Sequence, residues 1–355
     1  MKRYFITGIS GFLGRNLVIE LLKQSDIRII GFVLPNEKNL EFYEQYSNIT
    51  LVKGNILNKD EVLEFLSTPC DGDKYLIHAA GKISVYKKND PLTTEINVIG
   101  TRNVIDACIN KGFKKVIYVS SVDSVPKRKG HDVIYEPEEY DINKVDGVYS
   151  KSKVEANNIV LDAVKYRGLD ACIVLPSAIM GPDDPFNAPI NNAIRRFLNN
   201  KLPAITKGGY NIVDVRDVAK GILSTLENGK SGESYLLTGQ YVTVKELIEE
   251  AAKVADKKPV KNKVPHFIIK MISPFIEAHA KRHHKSPLFT GFSMDCLMQN
   301  SNYSYDKAKK ELGYEPRSLE ETMKDTIEWV MSGANWECAF FITISYPHIH
   351  LVRNR

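Results

Sequence analysis

Residues 1–23 read MKRYFITGISGFLGRNLVIELLK, and their order decides the fold. Arg3 to Thr7 is a short apolar run, as a buried strand requires. Gly8, Gly11 and Gly14 follow at intervals of three. Asn16 to Lys23 then has helical periodicity, with Leu17, Leu21 and Leu22 on one side. Strand, glycine turn and helix in that order are the setting of a dinucleotide-binding fingerprint. The glycines let the backbone turn tightly and approach a pyrophosphate, whose charge meets free N–H groups at the helix N-terminus. The spacing is GxxGxxG rather than GxGxxG, and the flanking strand and helix supply the specificity that three glycines alone lack.

Outward from this unit the chain alternates. Strands are expected at Arg28–Val33, Thr50–Lys53, Lys74–Ala79, Val116–Ser120 and Ala171–Leu175. Helices are expected at Asn58–Ser67 with Asn58 as N-cap, at Pro91–Lys111 ending on Gly112, and at Val148–Tyr166. Alternating strands and helices imply a parallel sheet with helices on both faces, and the strands read as continuous apolar runs, as doubly covered strands should. Past Pro176 the rhythm changes. Pro and Asn cluster in GPDDPFNAPINN (181–192). Further helices are expected near residues 193–199, 218–226, 244–255, 267–279, 306–312 and 319–331, with strands near 212–215 and 234–238. The resulting expectation is a nucleotide-binding domain over 1–175, completed by a strand near 233–238, a smaller substrate lobe over 176–332, and a tail over 333–355. The tail, SGANWECAFFITISYPHIHLVRNR from Ser332 on, has no helical period and is assigned no function.

Composition excludes several classes. The chain is 43% hydrophobic and 26% charged, ordinary for a globular protein. Its 48 basic and 43 acidic residues are too balanced, and too scattered, for a nucleic-acid partner. Five dispersed cysteines without CxxC spacing read as reduced thiols of a cytoplasmic protein. No apolar run reaches the ~18 residues of a membrane span, so no membrane partner is expected. No signal peptide is expected either, because the first strand starts at once. No metal site is expected: His279 and His283 are four apart in the basic run HAKRHHK, but a third ligand is missing.

The chemistry centres on Tyr149-Ser-Lys-Ser-Lys153. Four residues apart on a helix, Tyr149 and Lys153 share a face. A free phenol, with a pKa of about 10, is almost wholly protonated at pH 7, and an adjacent cation favours its ionised form. Such a pair alone is a common accident of helical surfaces. Here Tyr118-Val-Ser-Ser121 ends the fifth strand, and the carboxyl ends of parallel strands line the ligand crevice. Ser121 is thus placed to hydrogen-bond a substrate oxygen that Tyr149 protonates or deprotonates. Asp123 reads as a solvated loop carboxylate that could still reach the substrate, and Asp214 and Asp217 as residues serving a helix start.

With these motifs in view, the chain resembles the extended short-chain dehydrogenase/reductases, which include the NAD-dependent epimerase/dehydratases. TGISGFLG (7–14), GNIL (54–57), HAAG (78–81), INVIGTRNV (96–104), LPSAIMGP (175–182) and VDVRDVAKG (213–221) are similar to that family's motifs. Within it the chain looks most like dihydroflavonol-4-reductase-like members. The sugar-nucleotide dehydratases carry Thr-Asp-Glu where this chain has Ser121, Val122 and Asp123. The resemblance covers about residues 1–332. It implies an α/β Rossmann fold, a seven-stranded doubly wound parallel sheet with a smaller C-terminal substrate lobe. It implies Ser121, Tyr149 and Lys153 as catalytic residues. It further implies cofactor contacts from Gly8, Gly11, Phe12, Leu13 and Gly14, from Asn55 and Ile56, from Ala79, Ala80 and Gly81, from Pro176, and from Tyr149 and Lys153. Asn55 stands where the family usually has an Asp facing the adenine amino group.

The expected cofactor is NADP or NAD. No acid or arginine stands at Leu34, twenty residues past Gly14. Arg15 and Lys38 could meet a 2′-phosphate and Glu37 a ribose hydroxyl, with a lean to NADP. The expected partner is a small carbonyl or alcohol substrate in an apolar pocket, for which Pro203, Ile205, Phe275, Ile276, Leu288 and Phe289 are candidates. A homodimer is compatible with this reading. The leading expectation is an NAD(P)-dependent oxidoreductase. The rivals are a sugar-nucleotide epimerase that keeps its NAD, and a nucleotide-sensing binding protein without turnover.

Overall fold

Strand β1 (Lys2–Thr7) is the third strand of a seven-stranded parallel sheet. The others are β2 (Ile27–Val33), β3 (Ile49–Lys53), β4 (Asp73–His78), β5 (Phe113–Val119), β6 (Ala171–Pro176) and, further along the chain, β9 (Ser234–Leu237). The spatial order is β3-β2-β1-β4-β5-β6-β9. This is the Rossmann arrangement, and its order reverses between β1 and β4, where ligands of such sheets bind. Thr7 pairs in register with both Phe32 and His78, so the carboxyl ends of the three central strands finish together. The computed structural model describes residues 2–333 except 39, 110, 129, 131 and 283–289. The tail beyond Gly333, His283 and His284, and Leu288 and Phe289 lie outside the described residues.

Side chains alternate across the sheet and feed two cores. Phe5, Phe32, Val116, Tyr118 and Ile173 point to one face, under α3 (Lys59–Leu66), α5 (Thr101–Ile109) and α6 (Val148–Arg167). Ile6, Ile29, Ile77, Ile117 and Val174 point to the other, under α1 (Phe12–Leu21), α8 (Val215–Asn228) and α12 (Asp306–Leu312). Asn58 caps α3 by accepting from the N–H groups of Asp60 and Glu61. The helix expected from Pro91 begins as α4 (Pro91–Thr94), passes through a π-helical stretch at Glu95–Gly100 and continues as α5.

The remaining elements build a second, smaller layer. Strands β7 (Ala178–Met180), β8 (Gly209–Asp214) and β10 (Gln240–Thr243) form a sheet of order β10-β8-β7. Around its core of Met180, Ile194, Phe197, Ile212, Leu247, Ile248, Met323 and Ile327 pack α7 (Pro189–Leu198), α9 (Val244–Val254) and α13 (Leu319–Met331). Helices α10 (His266–Arg282) and α11 (Gly291–Leu297) complete the described chain, with the short α2 (Glu41–Glu44) after β2.

Several expectations shift. α1 starts at Phe12, not Asn16, so Gly14 lies inside it. Helix propensity hides this turn, because glycine is a poor helix former. β8 starts at Gly209 and α8 at Val215, three residues earlier than the sequence pattern suggests. Asp214, the N-cap of α8, accepts from Arg216 N–H at 2.8 Å. Of the apolar candidates for a pocket, Ile205 is buried in the core of the smaller layer, and Phe275 stands exposed on the outer side of α10.

Candidate active site

The three glycines do different jobs. Gly8 has φ +72°, and a Cβ there would lie 2.7 Å from Ala80 N and 2.8 Å from Ala79 C, so the loop presses against the backbone that follows β4. A Cβ on Gly14 would fall 2.1 Å from Gly8 O, so this glycine lets α1 pack onto the loop. Gly11 is the N-cap of α1, and its open side meets only Gly8 O, at 3.2 Å. No side chain caps α1 and its first turn holds no acid, which leaves its free N–H groups available to a pyrophosphate. Asn16 Nδ2 donates to Phe12 O at 3.1 Å and to Pro182 O at 3.3 Å, tying α1 to the turn after β7.

Behind this loop runs a buried relay. Ala80 N–H donates to Thr7 Oγ1 at 3.2 Å, Thr7 Oγ1 meets His78 Nδ1 at 2.7 Å, and His78 Nε2 meets Thr101 Oγ1 at 3.0 Å. Thr101 Oγ1 in turn donates to Asn97 O at 2.6 Å. Because the threonine proton is committed to that carbonyl, His78 carries its proton on Nε2 and accepts at Nδ1. Burial, assisted by the charge of Lys153, pulls the His78 pKa down to about 3, so the ring is neutral. The relay joins β1, β4 and the π-helical stretch. From that stretch Asn97 accepts from Lys82 N–H at 2.8 Å and donates to Lys82 O and Ser152 Oγ, each at 2.9 Å. The motifs HAAG and INVIGTRNV contained these residues, but nothing in their spacing marked His78, Asn97 or Thr101 as partners.

α6 brings Tyr149 and Lys153 to the carboxyl end of β5. It starts after Gly147, where a Cβ would strike the Phe292 ring at 2.5 Å. Lys153 is only 4% exposed. Its ammonium donates to Val119 O at 2.8 Å and to Tyr118 Oη at 3.2 Å. A Cβ on Gly81 would come within 3.4 Å of that nitrogen, so the missing side chain leaves room beside it. Burial pulls the Lys153 pKa down to about 7.

Ser121 sits at the end of β5 as the N-cap of a 3-10 turn (Val122–Ser124), beside the Tyr149 phenol. Buried Ser124 donates to Ser121 O at 2.8 Å and accepts from Asn157 Nδ2 at 3.0 Å, which locks the turn against α6. The Tyr149 phenol is pushed above its ordinary range, first by burial and then by the charge of Asp123; the Ser121 hydroxyl opposes both. The lowering expected from Lys153 does not appear, because burial of the phenol dominates. Asp123 is not merely a solvated carboxylate. Its N–H donates to Ser121 Oγ at 3.1 Å, Ser121 Oγ lies 3.4 Å from its Oδ2, and Lys127 Nζ is 3.7 Å away.

Asn55 Oδ1 accepts from Leu57 N–H at 3.0 Å, so a local turn already uses one lone pair of the oxygen expected to meet adenine. Ile56 is buried and its carbonyl accepts from Asn103 Nδ2 at 3.0 Å. Pro176 ends β6, and the next residue, buried Ser177, has a hydroxyl without a partner among the described residues. Arg15 stacks 4.1 Å over the Phe42 ring and reaches Asp183 at 3.7 Å. Glu37 faces Ser10 of the glycine loop, and burial raises its pKa.

A doubly wound sheet with a glycine turn at its switch point and an uncapped helix beyond it defines a class, the dinucleotide-binding proteins of Rossmann fold. The chain belongs to the NAD dependent epimerase/dehydratase family, whose model matches residues 4–238. A Synechocystis sp. protein provisionally named dihydroflavonol 4-reductase is 29% identical over 92% of this chain and 94% of its own length. Sterol demethylase protein B of Methylococcus capsulatus is 24% identical, covering 91% of this chain and 97% of its own. The crystal structure of gox2253 superposes with a TM-score of 0.78 at 31% identity, covering 93% of this chain and 98% of the other. Among the described residues, no helix is long and apolar enough to cross a membrane.

Proposed function

We propose that this chain is an NAD(P)-dependent carbonyl reductase with Ser121, Tyr149 and Lys153 as its catalytic residues. The observation that carries this reading is the Ser121–Tyr149 contact, with the phenol held protonated by burial and by Asp123. A protonated phenol is the form that donates to a carbonyl oxygen as it gains charge, whereas alcohol oxidation starts from the phenolate. Ser121 orients the substrate oxygen and Tyr149 delivers the proton to it. Lys153, in the space beside Gly81, holds a ribose. The N-terminus of α1 holds the pyrophosphate with Gly8, Gly11, Phe12, Leu13 and Gly14, and Ala79, Ala80, Asn55 and Ile56 flank the adenosine half. Pro176 and the unpartnered hydroxyl of Ser177 flank the nicotinamide end. When bound, the nicotinamide supplies the hydride.

The smaller layer supplies the substrate side, which makes residues 176–332 mainly a substrate lobe. Tyr303, whose hydroxyl donates to Val122 O at 3.5 Å, borders the Ser121–Asp123 turn, and Phe292 of α11 abuts Gly147 at the head of α6. This lining is aromatic, and it suits aromatic or alicyclic carbonyl compounds such as the first relative's name suggests. Arg195 and Arg196 do not form a diphosphate clamp here: Arg195 Nη1 donates to Asn187 Oδ1 at 2.7 Å and Arg196 Nη2 to Lys201 O at 3.4 Å. Glu37, held at the glycine loop, accepts from ribose hydroxyls and repels a 2′-phosphate, so NADH is favoured over NADPH, against the lean drawn from the sequence.

The test is oxidation of NADH and NADPH against a panel of aromatic ketones, with Tyr149→Phe alongside. Turnover is expected to fall by about 10² or more in the variant, with cofactor affinity within a few-fold. Turnover in Tyr149→Phe near that of the parent enzyme would falsify the assignment.

A further inference from the structure

Three cations share one row of the large sheet. Arg3 of β1 pairs in register with Arg28 of β2 on one side and with Lys74 of β4 on the other. In-register neighbours of a parallel sheet project to the same face, and adjacent strands lie about 4.8 Å apart, so three cationic side chains start within ~10 Å of one another. Their face is that of Phe5, Ile30 and Leu76, under α3 and α5. The row lies at the amino ends of the strands, about 13 Å of strand away from Thr7 and the glycine loop.

Arg3, at the centre of the row, is only 5% exposed. Its Nε and Nη1 are buried without a hydrogen-bond partner among the described residues. Arg28 and Lys74 are partly buried beside it, and their contacts are with neutral groups. Arg28 Nη2 donates to Thr50 Oγ1 at 3.2 Å, and Lys74 Nζ stands 5.5 Å over the Phe113 ring. Acids near the row are engaged elsewhere. Asp73, adjacent to Lys74 in sequence, binds Lys114 at 2.9 Å, Asp106 of α5 binds Arg167, and Glu61 of α3 accepts from Asn55 N–H. Glu64 and Asp71 are exposed. A buried guanidinium without a counter-charge destabilises a fold, and three like charges side by side repel.

We propose that Arg28, Arg3 and Lys74 form a binding site for a phosphate group, separate from the candidate active site at the other end of the strands. A guanidinium presents a planar set of N–H donors that matches phosphate oxygens. Phe5, packed against Phe65 and Phe113, makes an apolar floor that strengthens the attraction of the row for an anion. An oxyanion seated there satisfies Arg3 and offsets the repulsion along the row. The ligand is inorganic phosphate or the phosphate of a small ester.

Calorimetric titration of inorganic phosphate into the full chain saturated with NADH, at constant ionic strength, tests this, since NADH fills the pyrophosphate position at α1. One phosphate per chain is expected, with a rise in melting temperature that sodium chloride of equal ionic strength does not reproduce. Arg28→Gln/Lys74→Gln should keep the circular dichroism and the NADH affinity while losing at least tenfold in phosphate affinity. Arg3→Met should lose as much; if it does not fold, the double variant decides. Phenyl phosphate separates the two sources: affinity equal to that of inorganic phosphate points to an ester, and affinity at least tenfold weaker points to free phosphate. Absence of phosphate binding by the NADH-saturated parent, or undiminished binding by the folded double variant, overturns the proposal. So does a phosphate released by Gly11→Val and not by the row variants, which assigns it to the N-terminus of α1.

Discussion

Tyr149 and Lys153 were readable as a pair from their spacing, but not the direction of their pKa shifts. Burial, invisible in a one-dimensional string, is the largest cause at both, raising the phenol and lowering the ammonium. Lys153 therefore links protonation to stability. Its ordinary pKa of 10.5 falls to about 7 on folding. Below pH 7 both states carry the proton and the folded state bears the whole desolvation cost. Between about 7 and 10.5 the unfolded state binds more protons, so stability rises with pH. Urea unfolding of cofactor-free protein should thus show the parent gaining on Lys153→Met by a few kcal/mol between pH 6 and 10, each pKa unit being worth about 1.4 kcal/mol. A constant difference would mean that Lys153 titrates normally. Asp123 gives a second prediction at this scale. Asp123→Asn removes a charge that raises the Tyr149 pKa and leaves the charge on Lys127 uncompensated, so the alkaline limb of the reduction profile should move to lower pH. An unmoved limb would return Asp123 to the role of a solvated loop residue.

At the scale of elements, the glycine loop separates fold from binding. Gly11→Val adds atoms on the open side of the α1 N-terminus, where the only near contact is 3.2 Å to Gly8 O. Circular dichroism should stay the same while NADH affinity measured by calorimetry falls at least tenfold; unchanged affinity would remove the pyrophosphate from this site. Gly14→Ala should do the reverse damage, since its Cβ would meet Gly8 O at 2.1 Å, and the melting temperature should drop. The start of α8 was legible as VDVRDVAKG, but its partners were not. Asp214, fully buried, pairs with Arg216 at 2.7 Å and Arg317 at 3.0 Å, and Arg317 also reaches Asp217 at 3.2 Å. Arg317→Ala leaves the Asp217 carboxylate without its guanidinium, while Asp214 keeps Arg216, and should cost about 3 kcal/mol in urea unfolding. The signal was unreadable because a hundred residues separate Asp217 from Arg317.

For the whole molecule, reductase and epimerase differ in what they keep. An epimerase returns the hydride to its own substrate and retains its cofactor, whereas a reductase exchanges cofactor each cycle. The purified protein should therefore carry little nucleotide by mass spectrometry and consume NADH with net product. Stoichiometric bound NAD with interconversion of UDP-sugars and no net NADH loss would favour the epimerase.

Residues 1–23, the strand patterns and the Tyr149/Lys153 spacing were enough to determine a parallel α/β sheet, the nucleotide-binding class and the choice of catalytic candidates, and the family resemblance supplied the count of seven strands. Each depends on contacts short in sequence or on a repeat every two or four residues. The tertiary structure alone decided the His78–Thr101 relay, the 3-10 turn that sets Asp123 beside Ser121, the partners of Asp214, and the outward apolar face of α10. Periodicity shows that a helix has two unlike faces, but only packing against distant elements decides which face is inside. That is why Phe275 read as a pocket residue and stands at the surface.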